Sequence, residues 1–331
     1  VRTPILQTDI WATFQRELGK TVHTDSGTGW SFVSIVETSP LGLSLYCPYG
    51  PVAQDSRSLT EALTALQDLA RTNNAFYLRV EPVNTGDGTD VDAVLRGLGL
   101  RPAPLDVQPR HSWLIDLRDE PTKILAGMRS SNRNVYRNVG KKGVSIRSSH
   151  DPHDIEILIG FLTKTAEERE FTSHSADYLR TAASVLMPAG AAELYIAELT
   201  DHGPIAAALT YDTPDERVYA HAAADDNFRK LSASVAVVVQ LLMDAHNKGV
   251  PTADMWGIAP PDQPDHKWAG FTRFKQSFGG TGVIYTGTWD LPVVGLRYRL
   301  YRGLRSARSV ISNQSPRVRR ALTRLAHTLR R

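Results

Sequence analysis

Apolar positions at helical spacing open the chain. In Thr8–Leu18 (TDIWATFQREL), Ile10, Trp11, Phe14 and Leu18 recur with a helical period, and Asp9 stands where a cap is expected. Trp30–Val36 and Leu41–Tyr46 read as strands, and 59–72 repeats apolar residues at 59, 62, 63, 66 and 69, an amphipathic helix. Ala75–Val80 (AFYLRV) is a buried strand and Val91–Leu98 a short helix ending at Gly99. His111–Leu117 predicts another strand, Ile124–Val139 a helix closing at Gly140, and Val144–Arg147 a strand. Helices follow over Ile155–Glu168 and Ser175–Leu186. Three strands come next, Ala192–Thr200, Ile205–Tyr211 and Arg217–Ala222, as a meander. Ala233–Asn247 is a buried helix, 253–257 a strand end, Thr272–Phe278 a short helix, and Val283–Trp289 a final strand.

The second half therefore runs helix, helix, three antiparallel strands, helix, strand, helix, strand, and the first half repeats this order loosely. An α+β pair of related domains is the economical reading. The expected division is 1–110, completed by 284–300, then 111–283, then an arginine-rich tail over 297–331. A length of 331 residues suits two domains, and 41% hydrophobic with 22% charged residues is globular composition. The lone cysteine, Cys47, rules out an internal disulfide and a cysteine-built zinc site. No run of about 18 apolar residues predicts a spanning helix, and the first residues lack the apolar stretch of a secretory signal. A cytoplasmic protein is the expectation.

Charge changes the picture. The net is +3, yet no acid follows Asp290 while eleven arginines do, which leaves −8 for residues 1–290. An acidic body with a basic tail points to an anionic partner, RNA or a membrane surface. A second basic feature lies in MRSSNRNVYRNVGKKGVSIR, where Arg129, Arg133, Arg137 and Lys141 recur every four residues with no acid between Glu120 and Asp151. On one helix face they repel one another by a few tenths of a kcal/mol per pair, which a polyanion would relieve; a solvated face is the plainer alternative.

Candidate chemistry is sparse. Lys275 follows Phe274 and sits among Phe271, Phe274 and Phe278, where an amine is either desolvated for electrostatic work or simply snorkels. Thr165–Tyr178 (TAEEREFTSHSADY) offers acids, Thr172, His174 and Tyr178 ahead of a helix that Ser175 can cap unaided. YCPYGPV is a rigid turn after a strand, and Arg79, inside an apolar strand, calls for a carboxylate partner. A phosphate-binding loop, a dinucleotide fingerprint, HExxH and GxSxG are all missing, and the histidines show no metal-ligand spacing. Neither a metal nor a cofactor is expected.

Taken in order, LQTDIWATFQRELG, YCPYGPV, RSSNRNVYRNVGKKGV, TAEEREFTSHSADYL, YAHAAADDNFRKLSAS, DMWGI, FTRFKQSFGG and YTGTWDL resemble the Fem family of non-ribosomal peptidyltransferases, from Ile5 to Asp290. The resemblance implies two tandem acetyltransferase-like (GNAT-like) domains. It implies an enzyme that moves an amino acid from aminoacyl-tRNA to the side-chain amine of the peptidoglycan stem peptide. No heptad-rich insertion appears, so the armless subgroup is implied. Phe274 and Lys275 match the family's Phe-Lys pair, with Lys275 facing the oxyanion. Thr172 and Tyr178 match acceptor positions, and Tyr46, Tyr49 and Arg79 join them as substrate-binding candidates. Arg129, Arg133, Arg137 and Lys141 are the tRNA-binding candidates. Gln15, His174 and His221 stand where members that bind a UDP-linked muropeptide carry a lysine, an arginine and a tyrosine. That departure favours a lipid-linked acceptor, with the tail arginines on anionic lipid and the enzyme at the inner membrane face. Three alternatives remain at this level: a tRNA-dependent transferase acting on a small peptide or antibiotic intermediate, a CoA-dependent GNAT acyltransferase, and a non-enzymatic RNA- or membrane-binding protein.

Overall fold

The computed structural model describes residues 2–83, 85, 87–169 and 174–312. Two seven-stranded sheets carry the chain. The first half runs α1 (Asp9–Glu17), β1 (Val22–Gly27), β2 (Trp30–Ser39), β3 (Gly42–Cys47), β4 (Val52–Ala53), α2 (Ser56–Thr72), β5 (Tyr77–Val80), α3 (Val91–Gly97) and β6 (Arg101–Pro102). The second runs β7 (His111–Asp116), α4 (Pro121–Gly127), α5 (Ser130–Asn138), β8 (Val144–Ser149), α6 (Ile155–Arg169), α7 (Ala176–Leu186), β9 (Ala192–Leu199), β10 (Gly203–Asp212) and β11 (Arg217–Ala224). It continues with α8 (Ala233–Asn247), β12 (Thr252–Gly257), α9 (Ala269–Gln276), β13 (Thr281–Ile284), β14 (Trp289–Pro292) and α10 (Gly295–Ser312). The first sheet is ordered β1-β2-β3-β5-β14-β6 with β4 paired to β2, and the second β13-β7-β12-β11-β10-β9-β8.

Local chemistry explains most elements. Asp55 and Ser58 form a reciprocal capping box at the start of α2, whose Leu59, Leu63 and Leu66 enter the core of the first sheet. Thr8, rather than Asp9, caps α1, its hydroxyl accepting from the Trp11 N–H at 3.3 Å. Helix α8 buries nine of its fifteen residues, all nine of them apolar. It covers one face of the second sheet; α1, α6 and α7 build the apolar cluster on the other. Packing therefore does not follow a division at residue 110, because Ile5, Leu6, Trp11 and Phe14 belong to the core of the second sheet.

Two predicted elements are corrected. The helix expected over Ile124–Val139 is two helices, parted where Met128 and Arg129 take extended backbone angles. Tertiary hydrogen bonds hold that break: Ser277 O accepts from the Arg129 N–H (2.9 Å) and from Asn132 Nδ2 (3.1 Å). The final strand expected over Val283–Trp289 is β13 in the second sheet and β14 in the first, with the turn at Gly287 (φ +83°) between them.

The amino-terminal segment is locked across the junction of the two sheets. Gln7 is buried; its Nε2 donates to Pro48 O (2.6 Å) and Val33 O (3.1 Å), and its Oε1 accepts from the Val33 N–H (2.9 Å). A Cβ at Gly50, before the cis bond to Pro51, would lie 2.4 Å from the Gln7 side chain, so this turn requires glycine.

Candidate functional site

The site begins where two strands part. β11 and β12 are parallel neighbours, yet only Arg217↔Ala253 and Val218↔Asp254 are in register before they diverge. β12 also bulges against β7 between Asp254 and Gly257, and Trp256 there takes a left-handed φ of 62°. Lys275 on α9 reaches this opening and donates from Nζ to Gly257 O at 2.6 Å. Thr272 fixes the helix, its Oγ1 accepting from the Ala259 N–H at 2.8 Å. Burial pushes the Lys275 amine down to about 8, and the Asp254 carboxylate opposes that shift. An ammonium that ionises this close to neutrality, partly stripped of water, suits stabilisation of a developing oxyanion.

The aromatic surroundings differ from the expectation. Phe278 is fully buried and meets Phe274 edge-to-face at 5.1 Å, both packed into the second-sheet core. Phe274 thus supports α9 from below, and the exposed ring of this helix is Phe271.

Behind Lys275, four distant segments converge on Asp254. Its Oδ1 accepts from Ser112 Oγ (2.5 Å) and the Trp256 N–H (2.7 Å), and its Oδ2 from Tyr285 Oη (3.3 Å). Arg2 lies 3.7 Å from the same carboxylate, pairs with the buried Glu216 at 2.7 Å and donates to Tyr285 Oη. Tyr49, at φ 48°, donates to Pro109 O (2.9 Å) and presents its ring edge to Tyr285 at 5.5 Å. Arg2, Tyr49, Glu216, Asp254 and Trp256 line a narrow cavity here. With donors on both oxygens, Asp254 is an anchor for the bulge and a counter-charge for Lys275 rather than a free base. Arg2, Ser112, Glu216 and Tyr285 escaped the sequence reading, because each is a lone polar residue and only the tertiary fold collects them.

A second cluster gathers several sequence candidates. His174 and Tyr178 stack at 4.0 Å, His221 lies edge-on to His174 at 5.4 Å, and His221 Nε2 is 3.1 Å from Tyr211 Oη. Phe14 packs edge-to-face on Tyr178 at 5.1 Å, and Gln15, the next residue of α1, is buried. Burial lowers His174, and burial together with His174 pushes His221 down to about 3. Both rings are therefore neutral at pH 7, and with Gln15 and Tyr178 they supply hydrogen-bonding groups but no cation. Thr172 lies outside the described residues.

Tyr46 and Arg79 are placed elsewhere, in the first sheet. Tyr46 Oη donates to Glu81 at 2.6 Å. Arg79 forms a buried two-pronged pair with Asp290 (2.7 and 2.9 Å) and reaches Tyr301 Oη (3.3 Å), which commits its Nε and Nη2 donors within the first sheet and α10.

The basic residues adjoin the Lys275 helix. Through the bonds of Arg129 and Asn132 to Ser277, the start of α5 docks on the end of α9. Arg129, Arg137 and Lys141 are exposed. Arg133 instead turns back to cap α4, donating to Ala126 O (3.2 Å) and to Met128 O. The expected row of four cations is thus three outward charges plus one cap. Among the described residues, no group of three or more His, Cys, Asp or Glu is placed to hold a metal.

This architecture and sequence match known proteins. Aminoacyltransferase FemA of Staphylococcus aureus is 26% identical over 114 residues, 34% of this chain. The chain spans about a quarter (27%) of the length of the curated relatives it matches. The crystal structure of FemX superposes with a TM-score of 0.82 at 17% identity, covering 90% of this chain and 94% of that one. The C-terminal domain of a putative lysylphosphatidylglycerol synthetase from Agrobacterium fabrum follows at 0.61 and 12% identity, covering 90% and 92%. The two-sheet α+β fold described above is accordingly shared with both structures. Residues 182–306, which hold β11, β12 and α9, match the sequence model of the FemAB family.

Proposed function

We propose that this protein transfers an aminoacyl group from aminoacyl-tRNA to the side-chain amine of the peptidoglycan stem peptide. The observation that carries the reading is the placement of Lys275 at the opening between β11 and β12, on a helix that abuts the exposed cations of α5. The acceptor amine attacks the ester carbonyl, the tetrahedral oxyanion forms beside the Lys275 ammonium, and the ester C–O bond breaks. The tRNA ribose hydroxyl leaves with a proton, which a neighbouring ribose hydroxyl can relay. The donor is already an activated ester, so no covalent enzyme intermediate is needed. Tyr178, His174, His221 and Gln15 line the acceptor side. Their neutrality disfavours a UDP-linked pyrophosphate held by cations and supports a lipid-linked precursor at the inner membrane face. There the tail arginines would contribute about 1 kcal/mol each near anionic lipid. The armless form belongs to the same reading, since α5 to α8 all pack on the second sheet or on one another.

The test is a transfer assay with charged total tRNA and either lipid-linked or UDP-linked muropeptide. Label should enter the muropeptide, disappear with RNase, and prefer the lipid-linked form. Absence of transfer to either acceptor overturns the reading.

The tRNA path makes its own prediction. Replacing Arg129, Arg137 and Lys141 by alanine should weaken tRNA binding and flatten the plot of log affinity against log salt by about 2–3, the slope for three lost phosphate contacts. An unchanged slope would move the tRNA elsewhere.

A further inference from the structure

Helix α10 has two apolar faces, and only one is used. Tyr298 is 2% exposed and packs with Tyr301 against Phe76 and Tyr77 of the first sheet, the Tyr77–Tyr301 rings stacking at 5.0 Å. On the side away from these tyrosines, Leu296, Leu300 and Leu304 are 75%, 54% and 53% exposed. Their spacing of four residues aligns them in one stripe along the helix. With Val294 before them, they make up half of the eight strongly exposed large apolar side chains among the described residues. Single exposed leucines need no explanation, but a row of them on an already docked helix does.

The charges beside the stripe indicate what covers it. At 100° per residue Arg297 flanks it on one side and Arg299 on the other, both exposed, and no acid occurs after Asp290. A second copy docking stripe to stripe would bring two wholly cationic helices together with no counter-charge. An anionic bilayer surface supplies both complements at once: leucines enter the acyl boundary and arginines rest at the phosphates. No described helix is long and apolar enough to cross a membrane, so this helix lies along the surface.

We propose that the Leu296–Leu300–Leu304 face of α10 is a docking surface for the interface of an anionic membrane, holding the first sheet against the bilayer through Tyr298 and Tyr301. This deepens the lipid-linked reading of the acceptor and rests on it only for its biological purpose.

The test uses the full chain and vesicles that contain no acceptor and no tRNA, so vesicle binding and transfer fail independently. Wild type should co-sediment with phosphatidylglycerol-containing vesicles and far less with pure phosphatidylcholine. Leu296→Ser, Leu300→Ser and Leu304→Ser together should reduce that partition by about tenfold or more, given the apolar area withdrawn, with an unchanged melting temperature. A second readout avoids any loss of fold. Cys47 is buried, so a polarity-sensitive dye on Leu300→Cys reports from the stripe alone and should shift to the blue on adding anionic vesicles. Vesicle binding that survives the triple serine change, a dye that does not respond, absence of vesicle binding, or a leucine-dependent dimer in lipid-free solution would each overturn the proposal.

Discussion

Lys275→Ala is expected to lower kcat by about 100- to 1000-fold, the loss that follows removal of one oxyanion donor, while tRNA binding and the melting temperature stay near wild type. The amine donates to a backbone carbonyl, Gly257 O, at the end of β12. Its effect should therefore fall on the transition state. An increase in acceptor KM with kcat intact would instead assign it to ground-state binding. pH supplies a second check. Burial holds this amine down to about 8, so the ammonium needed for the oxyanion is present below that pH and lost above it. Deprotonation of the acceptor amine acts in the opposite sense, and the profile should be bell-shaped with an alkaline limb beginning near 8. Lys275→Arg keeps its charge throughout and should erase that limb even if its kcat is reduced.

Asp290→Ala is expected to destabilise the protein by about 3–5 kcal/mol, because it leaves the Arg79 guanidinium buried without its partner. The Arg79 and Asp290 side chains are 5% and 0% exposed, and Asp290 also accepts from Tyr298 Oη at 2.9 Å. A urea unfolding curve should show a lower midpoint. The joint change Arg79→Met, Asp290→Leu should recover most of the loss, since a buried pair is often worth little against apolar side chains of similar volume. Equal destabilisation by the single and joint changes would mean that hydrogen bonding to Tyr298, rather than charge, holds this junction.

Much of this was legible in the sequence. The helical periods of 59–72 and 233–247 and the strand run of 192–222 identify their elements, because one-sided burial imposes those periods. β1 was missed: Val22–Gly27 (VHTDSG) is a polar edge strand with four exposed residues and has no alternation to read. The break at Met128–Arg129 was also invisible, since Ser277, some 145 residues onward, imposes it. Among site residues, Lys275 stood out through its aromatic neighbours, although the fold turns Phe274 and Phe278 inward and gives Lys275 a backbone carbonyl instead. The stacking of His174 on Tyr178 beside His221 joins segments that each looked like ordinary capping or strand sequence. Arg2 and Glu216, more than two hundred residues apart, meet because the Thr3 N–H donates to Asp215 (3.0 Å) and Ile5 and Leu6 pack into the second-sheet core.

The position of β14 has a consequence for how the chain is made. This strand lies between β5 and β6 and supplies Trp289 and Leu291 to the core of the first sheet. On a ribosome, residues 1–102 emerge long before it, and until residue 292 follows they hold β5 and β6 apart with an open edge between them. Meanwhile the amino-terminal helix waits for α6, α7 and β9–β11 to exist before it can bury Trp11 and Phe14. Each half thus requires a late-arriving piece from the other, the long-range closure that slows folding. The nascent chain should stay protease-sensitive until residue 292 has emerged and then close in one cooperative step. Neither half expressed alone should reach a native, soluble state.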